Sequence, residues 1–159
     1  MAKITHPPRG LHVIDVENLI GFARPACHDV SEARRLYGRL VAVDEHDHVV
    51  VACNHGAAVE VGSHWEGRLL VHSGPDGADL ALLDVLASEG IRERFDRIYL
   101  ASGDGIFTTE VAALAGDGVP VTVVARPESL SRSLRLAATS VVFFNPGPSD
   151  PACSKPVAA

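Results

Sequence analysis

Apolar residues along this chain fall into two recurring patterns. Short, nearly continuous runs rich in β-branched residues alternate with segments whose apolar positions return at helical spacing. Leu11–Asp15, Val49–Ala52, Arg68–His72, Arg97–Leu100, Val119–Ala125 and Val141–Phe144 read as strands. Strands buried on both faces of a parallel sheet are continuous rather than alternating in this way. Between them, Ser31–Val41, Asp76–Glu89, Thr109–Ala115 and Ser129–Ala138 read as helices, and Gly56–Val61 as a short helix or turn. Ser31 is placed as the N-cap of the first crossover helix, and Gly90 as the stop of the Ala/Leu-rich one. Pro120 sits at a strand's start, where a missing N–H is tolerated.

Strands alternating with helices give an α/β fold, a three-layer α/β/α sandwich around a mainly parallel sheet of five to six strands. With 159 residues the chain is the size of one domain, read here as residues 11–144. Residues 1–10 form an N-terminal arm. Residues 145–159, with four prolines and little apolar surface, are expected to be a disordered tail.

Composition narrows the function classes. No apolar run approaches the roughly 20 residues that span a bilayer, and the N-terminus lacks a signal-peptide apolar region. Cys27, Cys53 and Cys153 do not make a disulfide framework, which fits a reducing, cytoplasmic setting. The net charge of −6 argues against non-specific coating of DNA, although local arginines can still hold a nucleic acid. No G-x-G-x-x-G follows the first strand, so a dinucleotide-binding Rossmann site is disfavoured. Homo-oligomerisation is left open.

The polar residues at the strand ends carry the chemistry. Asp15 ends the first apolar run, Asp79 follows the third strand and its Gly-Pro-Asp-Gly turn, and Asp104 stands between two glycines after the fourth. Ligands of open α/β sheets bind at this carboxyl edge. Three hard oxygen donors there suit Mg²⁺ or Mn²⁺, and a cation would relieve their mutual repulsion. The implied chemistry is metal-assisted phosphodiester hydrolysis, with Asn18 and Ser102 placed to position a water, a ligand acid or a phosphate oxygen. Any one of these acids taken alone reads first as a helix cap, and it is the three together that favour a site. Arg126, Arg132 and Arg135 can grip RNA phosphates or be solvated charges. Asp76 reads as a turn former, Trp65 as packing rather than a base-stacking surface, and the group His46, His48, Cys53 and His55 matches no zinc spacing.

Val13-Ile-Asp-Val-Glu-Asn-Leu19, Gly77-Ala-Asp-Leu-Ala-Leu-Leu-Asp84 and Ser102-Gly-Asp-Gly-Ile-Phe107 resemble the three motifs of NYN domains, a branch of the PIN-like nuclease superfamily. The motifs occur in the family's order over roughly residues 11–144. The resemblance implies a PIN-like fold and metal-dependent ribonuclease activity on RNA. It puts Asp15, Asp79 and Asp104 on the family's metal-binding acids, and Asn18 and Ser102 on its polar helpers. One departure stands out: where the third motif carries a second acid, this chain has Ile106. That loss implies weaker metal binding, a single-ion site, or substitution by Glu17 or Asp84. Asp84 is about 140° round the helix from Asp79 and is therefore the second-tier ligand. The alternative reading is a catalytically weakened RNA-binding or protein-interaction module.

Overall fold

A computed structural model describes residues 7–88 and 90–147. Residues 1–6 of the expected arm, the end of the Ala/Leu-rich helix at Glu89 and residues 148–159 of the expected tail lie outside the described residues. Six strands form one all-parallel sheet: β1 (Gly10–Asp15), β2 (His48–Cys53), β3 (Arg68–Val71), β4 (Arg97–Ala101), β5 (Val121–Ala125) and β6 (Ser140–Phe143). Their order is β3-β2-β1-β4-β5-β6. The chain winds outward from β1 through β2 to β3, then crosses to β4 on the other side of β1. The direction of winding therefore reverses between β1 and β4, with Val13 flanked by Val50 and Leu100. At such a reversal the connections leave in opposite directions and open a crevice at the carboxyl ends.

Alternation along the strands splits the core into two layers. Leu11, Val13, Ile98, Leu100, Val121 and Val123 face α4 (Gly77–Ser88), α5 (Ile91–Arg94), α6 (Thr108–Gly116) and α7 (Arg132–Ala137). Ile14, Val51, Ala101 and Val124 face α1 (Val16–Ile20), α2 (Cys27–Leu40) and α3 (Ala58–His64). Trp65 belongs to the second layer, only 8% exposed and 6.0 Å from the Tyr37 ring, so it packs and offers no face to a base. The same layer contains one buried polar pin. His12 stacks on Tyr99 at 4.6 Å, and its ring nitrogens meet the Tyr37 hydroxyl at 2.7 Å and Asp47 at 3.1 Å. Every hydrogen-bonding atom of the imidazole is thus satisfied, as burial requires.

Several boundaries differ from the expected ones for local reasons. The first crossover helix starts at Cys27, not near Ser31, because the Asp29 carboxylate reaches back to accept the Ala26 N–H at 2.8 Å. Ser31 is thus an exposed mid-helix residue rather than a cap. The turn after Asp15 is the one-turn helix α1, stopped by Gly21 at φ 102°. The segment expected as a short helix or turn at Gly56–Val61 is a 3₁₀ turn at His55–Ala57 leading into α3. β5 begins after Pro120, whose carbonyl accepts the Ile98 N–H at 3.0 Å. The last helix is shortened to α7, capped by Ser131, whose Oγ accepts the Leu134 N–H at 3.2 Å. The unexpected α5 follows Gly90, which takes the left-handed conformation at φ 60°.

Candidate metal centre

Two strand-end turns meet at the β1/β4 reversal. Asp15 closes β1 and caps α1, its Oδ1 accepting the Asn18 N–H at 3.1 Å. This turns the Asn18 side chain toward β4, where Oδ1 accepts the Gly103 N–H at 2.9 Å. On the β4 side, Ser102 is fully buried and its Oγ accepts the Asp104 N–H at 3.3 Å. Asp104 caps the following 3₁₀ turn, Oδ1 accepting the Ile106 N–H at 2.9 Å. Phe107, fully buried, anchors that turn in the core. Gly103 has to be glycine, since a Cβ there would stand 2.4 Å from the Ser129 carbonyl oxygen. Asp15 and Asp104 are therefore both caps, in addition to any ligand role.

The third acid arrives from below the crevice. Asp79 lies in the first turn of α4, where the helix N-terminus favours a negative charge. Its Oδ1 is buried with no hydrogen-bond partner. Together with Asp15, Glu17, Asn18, Asn54 and Asp76 it lines a cleft of about 220 Å³. Asp76 holds φ 60°, a left-handed backbone that costs a non-glycine residue energy and here sets the entry to α4.

Four carboxylates and no cationic side chain line this cleft, and the electrostatics follow. Burial pushes the Asp15 carboxyl up to about 8, helped by the Asp79 charge and by a carboxyl–carboxyl hydrogen bond with Asp79, and opposed by the Asn18 N–H. Burial likewise raises Asp79, as do the charges of Asp104, Asp76 and Glu17, while the hydrogen bond with Asp15 pulls it down. Burial thus raises both carboxyls, and the two titrate as a unit.

The remaining sequence candidates divide clearly. Asp104 contributes its charge to Asp79 but does not line the cleft. Asp84 is exposed further along α4, away from the cleft lining, so helical rotation has carried it out of reach as a substitute. Arg126 uses Nε on the Asn18 carbonyl at 3.1 Å and Nη1 on Glu128 at 2.7 Å, clamping α1 from the β5 side. Arg132 and Arg135 are exposed on α7. His55 is bonded to Ser73, and His48 to Arg9 at the far edge of the sheet. Burial first, then the charges of Glu17 and Asp15, push the Cys53 thiol up to about 11. Among the described residues, no group of three or more His, Cys, Asp or Glu side chains is disposed to hold a metal ion.

Sequence reasoning missed Asn54 altogether and ranked Glu17 low. The two are bonded, Glu17 Oε1 accepting the Asn54 N–H at 2.6 Å, and both line the cleft. A signal existed, because Asn54 follows β2 directly, at the carboxyl edge where Asp15 ends β1.

A family model described as the NYN domain matches residues 1–145. The chain belongs to the NYN domain family, and its fold is the PIN-like, nuclease-type α/β/α sandwich. Among solved structures it is similar to a protein of unknown function from Vibrio parahaemolyticus. That protein is 20% identical over 90% of this chain and 96% of that one, with a TM-score of 0.56, which attests the fold. No curated protein matches. No helix among the described residues is long and apolar enough to cross a membrane.

Proposed function

We propose that this protein is a metal-dependent endoribonuclease that hydrolyses RNA phosphodiester bonds at the cleft between the ends of β1 and β2 and the start of α4. The observation that carries the reading is the Asp15–Asp79 pair. Two like carboxyls are pressed together by the fold, beside a buried Asp79 oxygen with no protein partner and with no cation to balance them. An arrangement that costs folding energy persists where a ligand repays it.

The donor set fits Mg²⁺ or Mn²⁺, since every candidate ligand is a hard oxygen. Asp15 and Asp79 would hold the ion, and Asp104 can offer the oxygen that does not cap Ile106. When bound, such an ion supplies an activated water and charge stabilisation at the phosphate. This chain's own residues do the rest. Asn18, fixed through Oδ1 to Gly103, keeps the amide Nδ2 to donate to a phosphate oxygen or a water. Glu17, fixed by the Asn54 N–H, closes one wall against alternative positions of the strand. Asp15, whose carboxyl burial pushes up to about 8, would give up its proton more readily as the cleft takes up positive charge.

A second reading, a weakened RNA-binding or interaction module, draws on Ile106. That residue is 38% exposed where the family motif has an acid, and it adds no oxygen to the site. One experiment separates the two: Mn²⁺-dependent cleavage of a labelled single-stranded RNA by wild type, Asp15→Asn, Asp79→Asn and Asp104→Asn. The nuclease reading expects cleavage by wild type and a loss of about a hundredfold or more in each variant. Wild-type cleavage no faster than that of the three variants would leave the module reading.

A further inference from the structure

The acidic cleft repels the very phosphates a nuclease must hold, so a substrate strand has to be gripped beside it. The loop of residues 21–26 is built for that. It is rooted at three points: the Gly21 N–H donates to the Glu17 carbonyl at 2.7 Å, the Ala23 carbonyl accepts from Asn54 Nδ2 at 3.0 Å, and Pro25 is buried. Arg126 braces it from beneath, its Nη1 2.8 Å from where a Cβ on Gly21 would stand. Two of the three anchors, Glu17 and Asn54, are walls of the acidic cleft. The loop is therefore held in fixed register with that cleft.

What this rooted loop displays is one aromatic ring and one cation that forms no ion pair among the described residues. Phe22 is 49% exposed, and Phe143, on the edge strand β6, is 42% exposed, whereas Phe107, Phe95 and Phe144 are almost completely buried. Arg24 is exposed, runs alongside Gly56 next to Asn54, and takes part in none of the ion pairs among the described residues. Among the described residues Arg35, Arg97 and Arg126 form ion pairs, whereas Arg24, like Arg39, Arg132 and Arg135, forms none, and of these four Arg24 lies beside a wall of the cleft. A ring and a guanidinium two residues apart on an anchored loop match the two recurring features of a single strand, an open base face and a phosphate.

We propose that the loop of residues 21–26 is the seat for one unpaired nucleotide of single-stranded RNA, with Phe22 stacking on the base and Arg24 holding the adjoining phosphate at the rim of the cleft. The assignment takes its ligand class from the ribonuclease reading but not its geometry. A duplex does not fit, because its bases are already stacked on one another and show no open face to Phe22.

The test uses the full chain in EDTA, so that binding is read without cleavage, with a fluorescein-labelled oligouridine followed by anisotropy. Phe22→Ala is expected to weaken binding about tenfold and Phe22→Trp to restore it. Arg24→Gln is expected to lower the slope of log affinity against log salt by about one. The same oligouridine annealed to oligoadenine should bind more weakly than the single strand. Both side chains are exposed, so melting temperatures should match wild type. Wild-type affinity in both Phe22→Ala and Arg24→Gln, duplex binding as tight as the single strand, or no binding of oligouridine by wild type would each overturn the assignment. Cleavage in Mn²⁺ is scored separately. Its absence, with the Phe22 effect intact, removes the nuclease and keeps the seat. Its presence, with binding indifferent to Phe22, removes only the seat.

Discussion

Asn18 Oδ1 accepts the Gly103 N–H at 2.9 Å, joining the turn after β1 to the turn after β4 across 85 residues of chain. The bond latches the two arms of the crevice. One end of the side chain is consumed in holding the site, and only the other remains for a ligand.

Asn18→Ala removes that latch and leaves the Gly103 N–H unpaired in a nearly closed position. The expected cost is about 1–3 kcal/mol of stability, together with a fall in cleavage larger than the loss of folded protein explains. Asn18→Asp keeps an acceptor for Gly103 but exchanges the amide donors for another negative charge, so it should keep the fold better than Ala while still losing activity. Thermal melts and cleavage rates measured on the same samples check this. Equal activity in Asn18→Asp and wild type would show that the amide serves the fold alone.

The Asp15–Asp79 pair gives the protein a pH signature. Asp15 titrates near 8 in the folded state and near 3.8 when unfolded, so between these values the folded chain binds more protons than the unfolded one. Stability without metal therefore falls as pH rises from about 4 to about 8, then levels off. Divalent metal competes with the Asp15 proton, so Mn²⁺ should raise the melting temperature more at pH 8 than at pH 6. Asp15→Asn should flatten the metal-free slope and abolish the Mn²⁺ response. Calorimetry in EDTA and in Mn²⁺ across this range is the check, and a metal-free slope unchanged by Asp15→Asn would sever the pair from the pH effect.

Ile106 tests whether the missing acid limits the site. Because it is 38% exposed on the turn that Asp104 caps, Ile106→Asp should fold with a melting temperature near that of wild type. The new carboxylate adds a hard oxygen donor beside Asp104, and Mn²⁺ affinity and cleavage should rise together, by about tenfold. Titration calorimetry and a cleavage assay on the folded variant decide it. A variant that folds but gains neither would show that the third motif does not reach the ion.

The strands, their parallel arrangement and the two motif turns were legible along the chain because each is written locally. Continuous β-branched runs mark strands covered on both faces, and Asp15 and Asp104 cap turns that begin one residue later, within reach of their own side chains. Helix starts were less legible where the cap is unconventional, as when Asp29 supplies the capping bond for Ala26 and leaves Ser31 inside α2. What the chain alone left undecided depends on contacts between distant segments. Helical rotation already put Asp84 second to Asp79, but only the fold leaves Asp84 in solvent and buries an oxygen of Asp79. The joint titration of Asp15 and Asp79, the tie from Glu17 to Asn54 and the latch from Asn18 to Gly103 exist only once β2 and β4 flank β1, where winding reverses. That reversal brings the ends of β1 and β4 side by side, with the start of α4 beneath them. Residue type set the chemistry available at each turn, and packing of the sheet set which turns share a solvent-poor space where charges act strongly on one another.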